Sequence, residues 1–461
     1  MNQLSVNFKN TVGKIKPMHA TNNGPVSWNF EAFVEAGIPY ARNHDAAFYD
    51  GYGGEHTVDI YAVFPNFDAD PYDPASYDFV CTDAYVKICE DAGIRTFYRL
   101  GVKIEHTVKK YYTLPPKDFH KWAVICEHII RHYTEGWADG FHYDMQYWEI
   151  WNEADMNDDA PVKPTWGGTR AEFYELYHIT ATHLKQCFPH LKIGGPANSG
   201  RFGIAEEFLA QLKAPLDFFS WHRYTSCPHK VTEKVRLVRE LLDKYGYTET
   251  ESILDEWSYI RSFTGEDFKY SLRMIKQIKG AAYVASVMCA CQKEPLDMLM
   301  YYDARPCSYG IFDSDVCCDK RKNYYSLYMF NQLYRLKNEV ESLSDSEDLF
   351  IGAASNGKEH AVMFTHFNDD DTTESKTVNL SLTGLEGKTV AEIYVLDEAH
   401  DLTLMQKIAT TGDTLEWEIE IPNFTSYMVL LTDGSKPQPA EKASEIAEKY
   451  KKDIFIPNSV S

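Results

Sequence analysis

Two short stretches of this 461-residue chain set carboxylates among large apolar side chains: Trp148-Glu149-Ile150-Trp151-Asn152-Glu153 and Leu254-Asp255-Glu256-Trp257. A carboxyl group kept protonated can donate to a leaving oxygen. An ionised one on the other side of the same bond can attack it or activate water, and together they suit cleavage of a glycosidic bond. Other apolar runs also end in polar clusters: Arg42-Asn43-His44, Ser220-Trp221-His222-Arg223-Tyr224, and Tyr301-Tyr302-Asp303 followed by Arg305. Guanidinium, imidazole and phenol groups are the usual means of setting a carboxylate's protonation state.

Competing chemistries find less support. There is no H-E-x-x-H and no G-x-S-x-G, so metallohydrolase and serine-esterase readings lack their motifs. Cys289-x-Cys291 and Cys317-Cys318 lack paired C-x-x-C zinc spacing, and the ten cysteines read as reduced thiols. Asp155-x-Asn157-x-Asp159 starts like a calcium loop, but Ala160 stands where glycine is required and Trp166 where a bidentate glutamate is. No metal and no organic cofactor is expected.

The elements that must position these groups alternate along the chain. Strand-like runs at 15–21, 38–45, 94–102, 146–153, 191–197, 216–224, 252–258 and 296–303 are separated by helix-like runs at 28–36, 74–92, 117–134, 169–187, 203–213, 228–245 and 271–292, with another at 323–337. Asp73-Pro74 predicts the start of the second helix, with Val80, Ala84, Ile88 and Ala92 as its apolar face and Gly93 as its stop. Eight strand–helix pairs predict an α/β fold, a (β/α)8 TIM barrel over residues 15–340. An open doubly wound sheet is the alternative, weakened by the lack of G-x-G-x-x-G after the first strand.

In such a barrel the reactive residues gather at the C-terminal strand ends, where every cluster above falls. The fourth and seventh strands lie nearly opposite each other, so Glu153 and a carboxylate at 255–256 can meet across the lumen. Successive strand side chains alternate faces, so only one of Asp255 and Glu256 is expected to point inward. His19, at the end of the first predicted strand, is a further candidate for the pocket.

After residue 340 the apolar period changes from helical to alternating at 360–368, 376–385, 388–396, 415–421 and 427–431. This predicts an accessory C-terminal antiparallel β-sandwich domain over 341–435, with residues 1–14 adding a strand to it. A charged tail, 436–461, follows. Lys and Arg number 46 against 68 Asp and Glu, a net charge of −22 that repels phosphate backbones and argues against nucleic acid. No apolar run long enough to span a membrane and no secretory leader is evident, so a cytoplasmic location is expected. The β domain and tail offer contacts for a homo-oligomer.

Trp151-Asn152-Glu153 on strand four with Glu256 on strand seven resembles the clan A glycoside hydrolases, and most of all glycoside hydrolase family 39, which contains β-xylosidases and α-L-iduronidases. The resemblance extends to Arg42-Asn43-His44, His222-Arg223-Tyr224, Tyr309-Gly310-Ile311-Phe312 and Lys322-Asn323-Tyr324-Tyr325. It implies Glu153 as acid/base, Glu256 as nucleophile, and hydrolysis with retention through a covalent glycosyl–enzyme intermediate. It further implies Asn152 on the sugar 2-hydroxyl, Tyr224 and Arg42 orienting Glu256, and His44 and His222 on sugar hydroxyls. The strand-eight loop departs from the β-xylosidase pattern, which is richer in acids there. Tyr302 remains a pocket candidate, and Arg305 either accepts a uronate or pairs with Asp303. The expected substrate is an oligosaccharide or glycoside with a terminal sugar such as xylose. An α-L-iduronidase-like enzyme, another glycosidase of the clan, a transglycosylase and a non-catalytic sugar-binding barrel are the alternatives.

Overall fold

The computed structural model describes residues 1–44, 57–156, 162–313, 318–388, 390–410 and 412–433. The charged tail, the calcium-loop-like Asn157, Asp159 and Ala160, and Cys317 lie outside the described residues. The first strand, Asn2–Lys14 (β1), stands apart from the barrel. Eight parallel strands then close into a ring: Ala20–Asn22 (β2), Tyr40–Arg42 (β3), Arg95–Leu100 (β4), Tyr147–Ile150 (β5), Lys192–Asn198 (β6), Phe218–Thr225 (β7), Glu251–Tyr259 (β8) and Met298–Tyr301 (β9). Each strand pairs with its sequence neighbour, and β2 closes the ring on β9. Strands buried on both faces read as continuous apolar runs, which is why Tyr147–Ile150 has no exposed member.

The alternating pattern expected from the sequence is present, with differences at its edges. The first barrel strand begins at Ala20 rather than at residue 15, because Pro17 cannot donate a ladder hydrogen bond and the chain turns there, Met18 N donating to Lys16 O at 2.8 Å. The expected helix 74–92 is two pieces. Asp73 caps only a single 3-10 turn, Pro74–Ser76, and the α-helix runs Val80–Asp91. Its buried face is Thr82, Val86, Ile88 and Cys89, whereas Val80 is 76% exposed, so the predicted stripe is rotated. Gly93 does stop that helix, at φ +75°. The run 271–292 is likewise divided into Gly265–Met274 and Ile278–Gln292.

The second unit is a nine-stranded sheet. It adds Asn338–Ser344 (β10), Leu349–Ser355 (β11), His360–His366 (β12), Lys376–Thr383 (β13), Val390–Leu396 (β14), Thr403–Ala409 (β15), Thr414–Ile421 (β16) and Ser426–Thr432 (β17) to β1. The order is β15-β14-β17-β12-β11-β10-β1-β13-β16. The sheet is mixed rather than wholly antiparallel, since β1 runs parallel to β13 while antiparallel to β10. Trp417 on β16 nevertheless meets Phe364 on β12 and Tyr427 on β17, at 6.4 and 5.5 Å between ring centroids. The two ends of the sheet therefore fold face to face over a common apolar core. The exposed edge strand β15 carries no burial pattern and was not legible as a strand.

Helix Ile278–Gln292 is buried along almost its whole length and joins the two units. Its Lys279 ammonium, 2% exposed, donates to Tyr270 Oη at 3.0 Å, to the Asp369 carbonyl at 2.6 Å and to Asp371 Oδ1 at 2.7 Å. No helix among the described residues is long and apolar enough to cross a membrane.

Candidate active site

Arg42 is the hub of the C-terminal barrel rim. It ends β3, is fully buried, and spreads its guanidinium among four strands. Its Nη1 donates to Asn22 Oδ1 at 3.0 Å and to Glu256 Oε1 at 2.9 Å, and its Nη2 to Asn152 Oδ1 at 2.7 Å. Glu149 Oε2 lies 2.7 Å from the same group and Asp255 Oδ2 3.1 Å from its Nε. A planar fork of five donors suits this multiple grip, which a single ammonium cannot reproduce.

The backbone of β8 explains how Asp255 and Glu256 both reach Arg42. Leu254 pairs with Trp221 and with Leu299, but the next partners are Glu256 with His222 and Trp257 with Tyr301. One extra residue is thus inserted into β8 relative to the strands beside it, a β-bulge. The expected alternation fails here: the bulge turns both side chains inward, Asp255 fully buried and Glu256 5% exposed.

The end of β5 is equally specialised. Trp151 and Glu153 adopt left-handed φ values of +72° and +47°, conformations that L-residues hold only when their surroundings enforce them. Trp151 N donates to Leu100 O at 2.9 Å, and its indole, between Trp122 and Trp166, donates to Thr165 O at 3.0 Å. Glu153 N donates to Ala197 O at 2.9 Å, and the Thr165 hydroxyl donates to Glu153 O. This backbone turns Asn152 and Glu153 back over the lumen.

The two glutamates occupy opposite electrostatic settings. Burial alone would raise the Glu256 carboxyl, but His222, His44 and Arg42 outweigh it and hold the group well below the usual carboxylate range. His44 Nε2 lies 3.0 Å from Glu256 Oε1, and Tyr224 Oη donates to Oε2 at 2.8 Å. Glu153 moves the other way: burial, with the charges of Glu256 and Asp155, raises its pKa against the opposing effect of His222. His222 Nδ1 sits 2.7 Å from Glu153 Oε1 and 3.5 Å from Glu256 Oε2. Burial would lower the imidazole's pKa, but Glu256, Asp255 and Glu153 raise it well above its ordinary value. One donor atom from each of Glu153, His222 and Glu256 lies within 4.8 Å of the others. That grouping has a metal-like spacing, yet Arg42 and a protonated His222 already neutralise Glu256. Glu127, His183 and Cys187, on two outer helices, form a second such grouping away from the rim.

Of the residues expected at the site, Arg42, His44, Asn152, Glu153, His222, Tyr224 and Glu256 come together. Tyr302 stands beside them, its ring 5.6 Å from His44 and 6.4 Å from Tyr224. His222 differs from its expected place on a sugar hydroxyl, being engaged with the glutamates themselves. His19 is not part of the site. It precedes β2 at the N-terminal end of the barrel, where Nε2 is 3.1 Å from Gly37 O and the ring packs on Phe330 and Tyr334. The two readings of Arg305 are separated by its geometry: Nε and Nη2 each lie 2.7 Å from Asp303 Oδ2. Asn22, which the sequence reading missed, donates to Asp255 O at 2.6 Å while accepting from Arg42. Its signal was the polar Thr21-Asn22-Asn23 run at a strand end, obscured by the misplaced first strand. The Asn152 side-chain nitrogen is buried with no hydrogen-bond partner among the described residues.

Residues 54–297, more than half of the chain, match the sequence model of Glycosyl hydrolases family 39. A β-xylosidase of Geobacillus stearothermophilus is 31% identical over 173 residues, 34% of this chain and 32% of that protein. Another, of Caldicellulosiruptor saccharolyticus, is 25% identical over 245 residues, 48% of this chain and 46% of that one. The chain thus spans less than half the length of these curated relatives. Among solved structures, a glucosidase from Croceicoccus marinus superposes with a TM-score of 0.76 at 21% identity, covering 94% of this chain and 99% of the other. That likeness is one of fold.

Proposed function

The chain belongs to glycosyl hydrolases family 39, and on that footing we propose that it is a glycoside hydrolase removing a terminal sugar with retention of configuration. Glu153 serves as acid/base and Glu256 as nucleophile. The observation that carries the reading is the approach of their carboxyl oxygens to within 4.8 Å, in settings that raise the pKa of one and lower that of the other. Retaining glycosidases hold their two carboxyl groups about 5 Å apart, whereas inverting enzymes leave about 6.5 Å or more for a water.

In the first step Glu256 attacks the anomeric carbon while the Glu153 proton passes to the departing oxygen, leaving a glycosyl ester on Glu256. In the second, Glu153, now ionised, takes a proton from water as its oxygen attacks the same carbon, and the ester bond to Glu256 breaks. Arg42, His44 and Tyr224 stabilise the Glu256 charge before attack and when it is released again. The unpartnered Asn152 amide supports its expected role as donor to the sugar 2-hydroxyl. Exo action and a xylose-like glycon follow the two β-xylosidases. A neutral glycon also fits Arg305, whose charge is taken up by Asp303. A cytoplasmic location, consistent with the buried free thiols of Cys289 and Cys291, belongs to the same proposal.

The test is a panel of nitrophenyl xyloside, arabinoside, glucoside, galactoside and uronide, with the anomer of the first-formed product followed by proton NMR. Turnover of one glycoside with retention, abolished in Glu256→Ala, is expected. An inverted product, or undiminished turnover in that variant, would overturn the mechanism.

A further inference from the structure

Beneath the nucleophile lie two carboxyl groups that the chemistry above does not use. Glu149 on β5 and Asp255 in the β8 bulge are both fully buried, and both meet the Nε edge of the Arg42 guanidinium, at 2.7 and 3.1 Å. Glu149 Oε1 and both Asp255 oxygens have no N–H or O–H donor at hydrogen-bonding geometry. Two ionised carboxylates facing each other with three unsatisfied acceptors are an unfavourable arrangement in a low-dielectric interior. A single proton between them resolves it, because the O–H of one then donates to the other.

The charges around the pair lead to the same place. Arg42 and protonated His222 are the cations that act on Asp255, while His44 faces Glu256 at 3.0 Å. Arg42 is shared among Glu149, Asp255 and Glu256, so it does not neutralise both members of the buried pair, and one of them is left to carry a proton. We propose that Glu149 and Asp255 form a proton-sharing carboxyl pair, with Glu149 its protonated member, and that the pair fixes Arg42 and through it the position and charge of Glu256. Only the role of Glu256 in this statement rests on the glycosidase reading. Glu149 and Asp255 are positioning residues, because neither touches the reacting atoms.

The buried Tyr177 phenol, on helix Arg170–Cys187, lies close enough to Glu149 to feel its charge. Arg42 faces Glu149 from β3, Ser220 from β7 with His222 beyond, and Asp255 and Glu256 from β8. Arg99, registered beside it on β4, turns instead to Asp59 at 2.8 Å and to the His44 carbonyl at 2.9 Å. Gly194, beside it on β6, has no side chain. Burial raises the Glu149 carboxyl, Arg42 opposes, and Asp255 adds to the rise, pushing it up to about 8. Burial would raise Asp255 too, but Arg42 and His222 outweigh that and lower it. Loss of the Glu149 proton on the alkaline side places a new negative charge on Arg42 in competition with Glu256. Activity should decline there for a reason separate from deprotonation of the acid/base.

The experiment pairs infrared difference spectroscopy with pH-dependent kinetics. At pH 6 the wild type minus Glu149→Gln spectrum should contain the carbonyl stretch of a protonated carboxylic acid. In Asp255→Asn the amide donates to Glu149 and favours its ionised form, so the same band should disappear; this variant keeps the test available if Glu149→Gln does not fold. Glu149→Gln mimics the protonated acid and should keep kcat/KM at pH 6 within about threefold, with the alkaline limb displaced upward. Glu149→Ala should lose at least tenfold in kcat. Absence of a carbonyl band in either difference spectrum, or a Glu149→Gln variant as impaired as Glu149→Ala with its alkaline limb unmoved, overturns the proposal. The infrared result needs no turnover. A wild type inactive on every glycoside would refute the function while the band still decides the fate of the pair.

Discussion

Replacing Tyr224 by phenylalanine removes one oxygen atom from the setting that keeps Glu256 ionised. The phenol donates to Glu256 Oε2 at 2.8 Å, with Glu256 buried and Tyr224 half-buried. A buried hydrogen bond to a charged group contributes about 1.5–3 kcal/mol. If it is realised fully in the transition state, where it holds Glu256 in line for attack, its loss lowers kcat/KM by roughly 10- to 150-fold. The same energy stabilises the ionised form over the protonated one, so the Glu256 pKa rises by about one to two units at roughly 1.36 kcal/mol per unit. Because that pKa starts well below the ordinary range, Glu256 remains ionised at neutral pH and the variant loses orientation for attack rather than charge. The sign for stability follows from linkage. A depressed carboxyl pKa contributes stability above the unfolded value of about 4.5 that is lost as pH falls through the folded value, so Tyr224→Phe should reduce the acid sensitivity of folding. The assay is kcat/KM against pH on an activated aryl glycoside, with thermal unfolding at each pH. A kcat/KM within threefold of wild type and an unmoved acidic limb would refute the claim that this contact sets the state of Glu256.

Glu153→Gln should lower turnover about 10²- to 10⁴-fold on glycosides with poor leaving groups while sparing glycosylation by dinitrophenyl glycosides; equal losses on both would count against the acid role. Arg42→Lys keeps one charge but cannot reach Asn22, Glu149, Asn152 and Glu256 together. A fall in kcat/KM of at least a hundredfold, with a lower melting temperature, is expected; near-normal kinetics would show that the hub is dispensable. Lys279→Met leaves Asp369 with Arg261 but deprives the joint between barrel and sheet of its buried cation. It should cost about 3 kcal/mol in denaturant unfolding with glycosidase kinetics intact, and an unchanged unfolding midpoint would remove the joint's significance.

The barrel was legible because its signal is repetition: eight apolar runs at regular intervals survive errors of several residues at each boundary. Those same errors decided which site residues were misplaced. Starting the first strand at residue 15 moved its apparent end back to His19, whereas β2 spans Ala20–Asn22 and delivers Asn22 to the rim. The edge strand β15 was invisible for a physical reason, since an exposed strand has no need to alternate. The split at Gln277 and the detached turn at Pro74–Ser76 were hidden because a periodic apolar pattern can continue across a break in the helix itself.

The active centre was legible by residue type and less so by geometry. Period-two alternation assigns one of Asp255 and Glu256 to the core, and it fails because a bulge leaves no local mark: Leu254-Asp255-Glu256-Trp257 contains no glycine and no proline. A signal was available in the charges instead. Placing Glu149, Glu153 and one of the pair at 255–256 inside a barrel already asks Arg42 and a histidine to balance three acids. The register slip adds a fourth, Asp255, so that Arg42 is shared among Glu149, Asp255 and Glu256 while His222 lies between Glu153 and Glu256. On the proposed mechanism, burial and the neighbouring Glu256 and Asp155 carboxylates favour the protonated form of Glu153 that a general acid requires. The bulge that defeats the alternation rule is what lets Glu256 face Glu153 beside a buried Asp255.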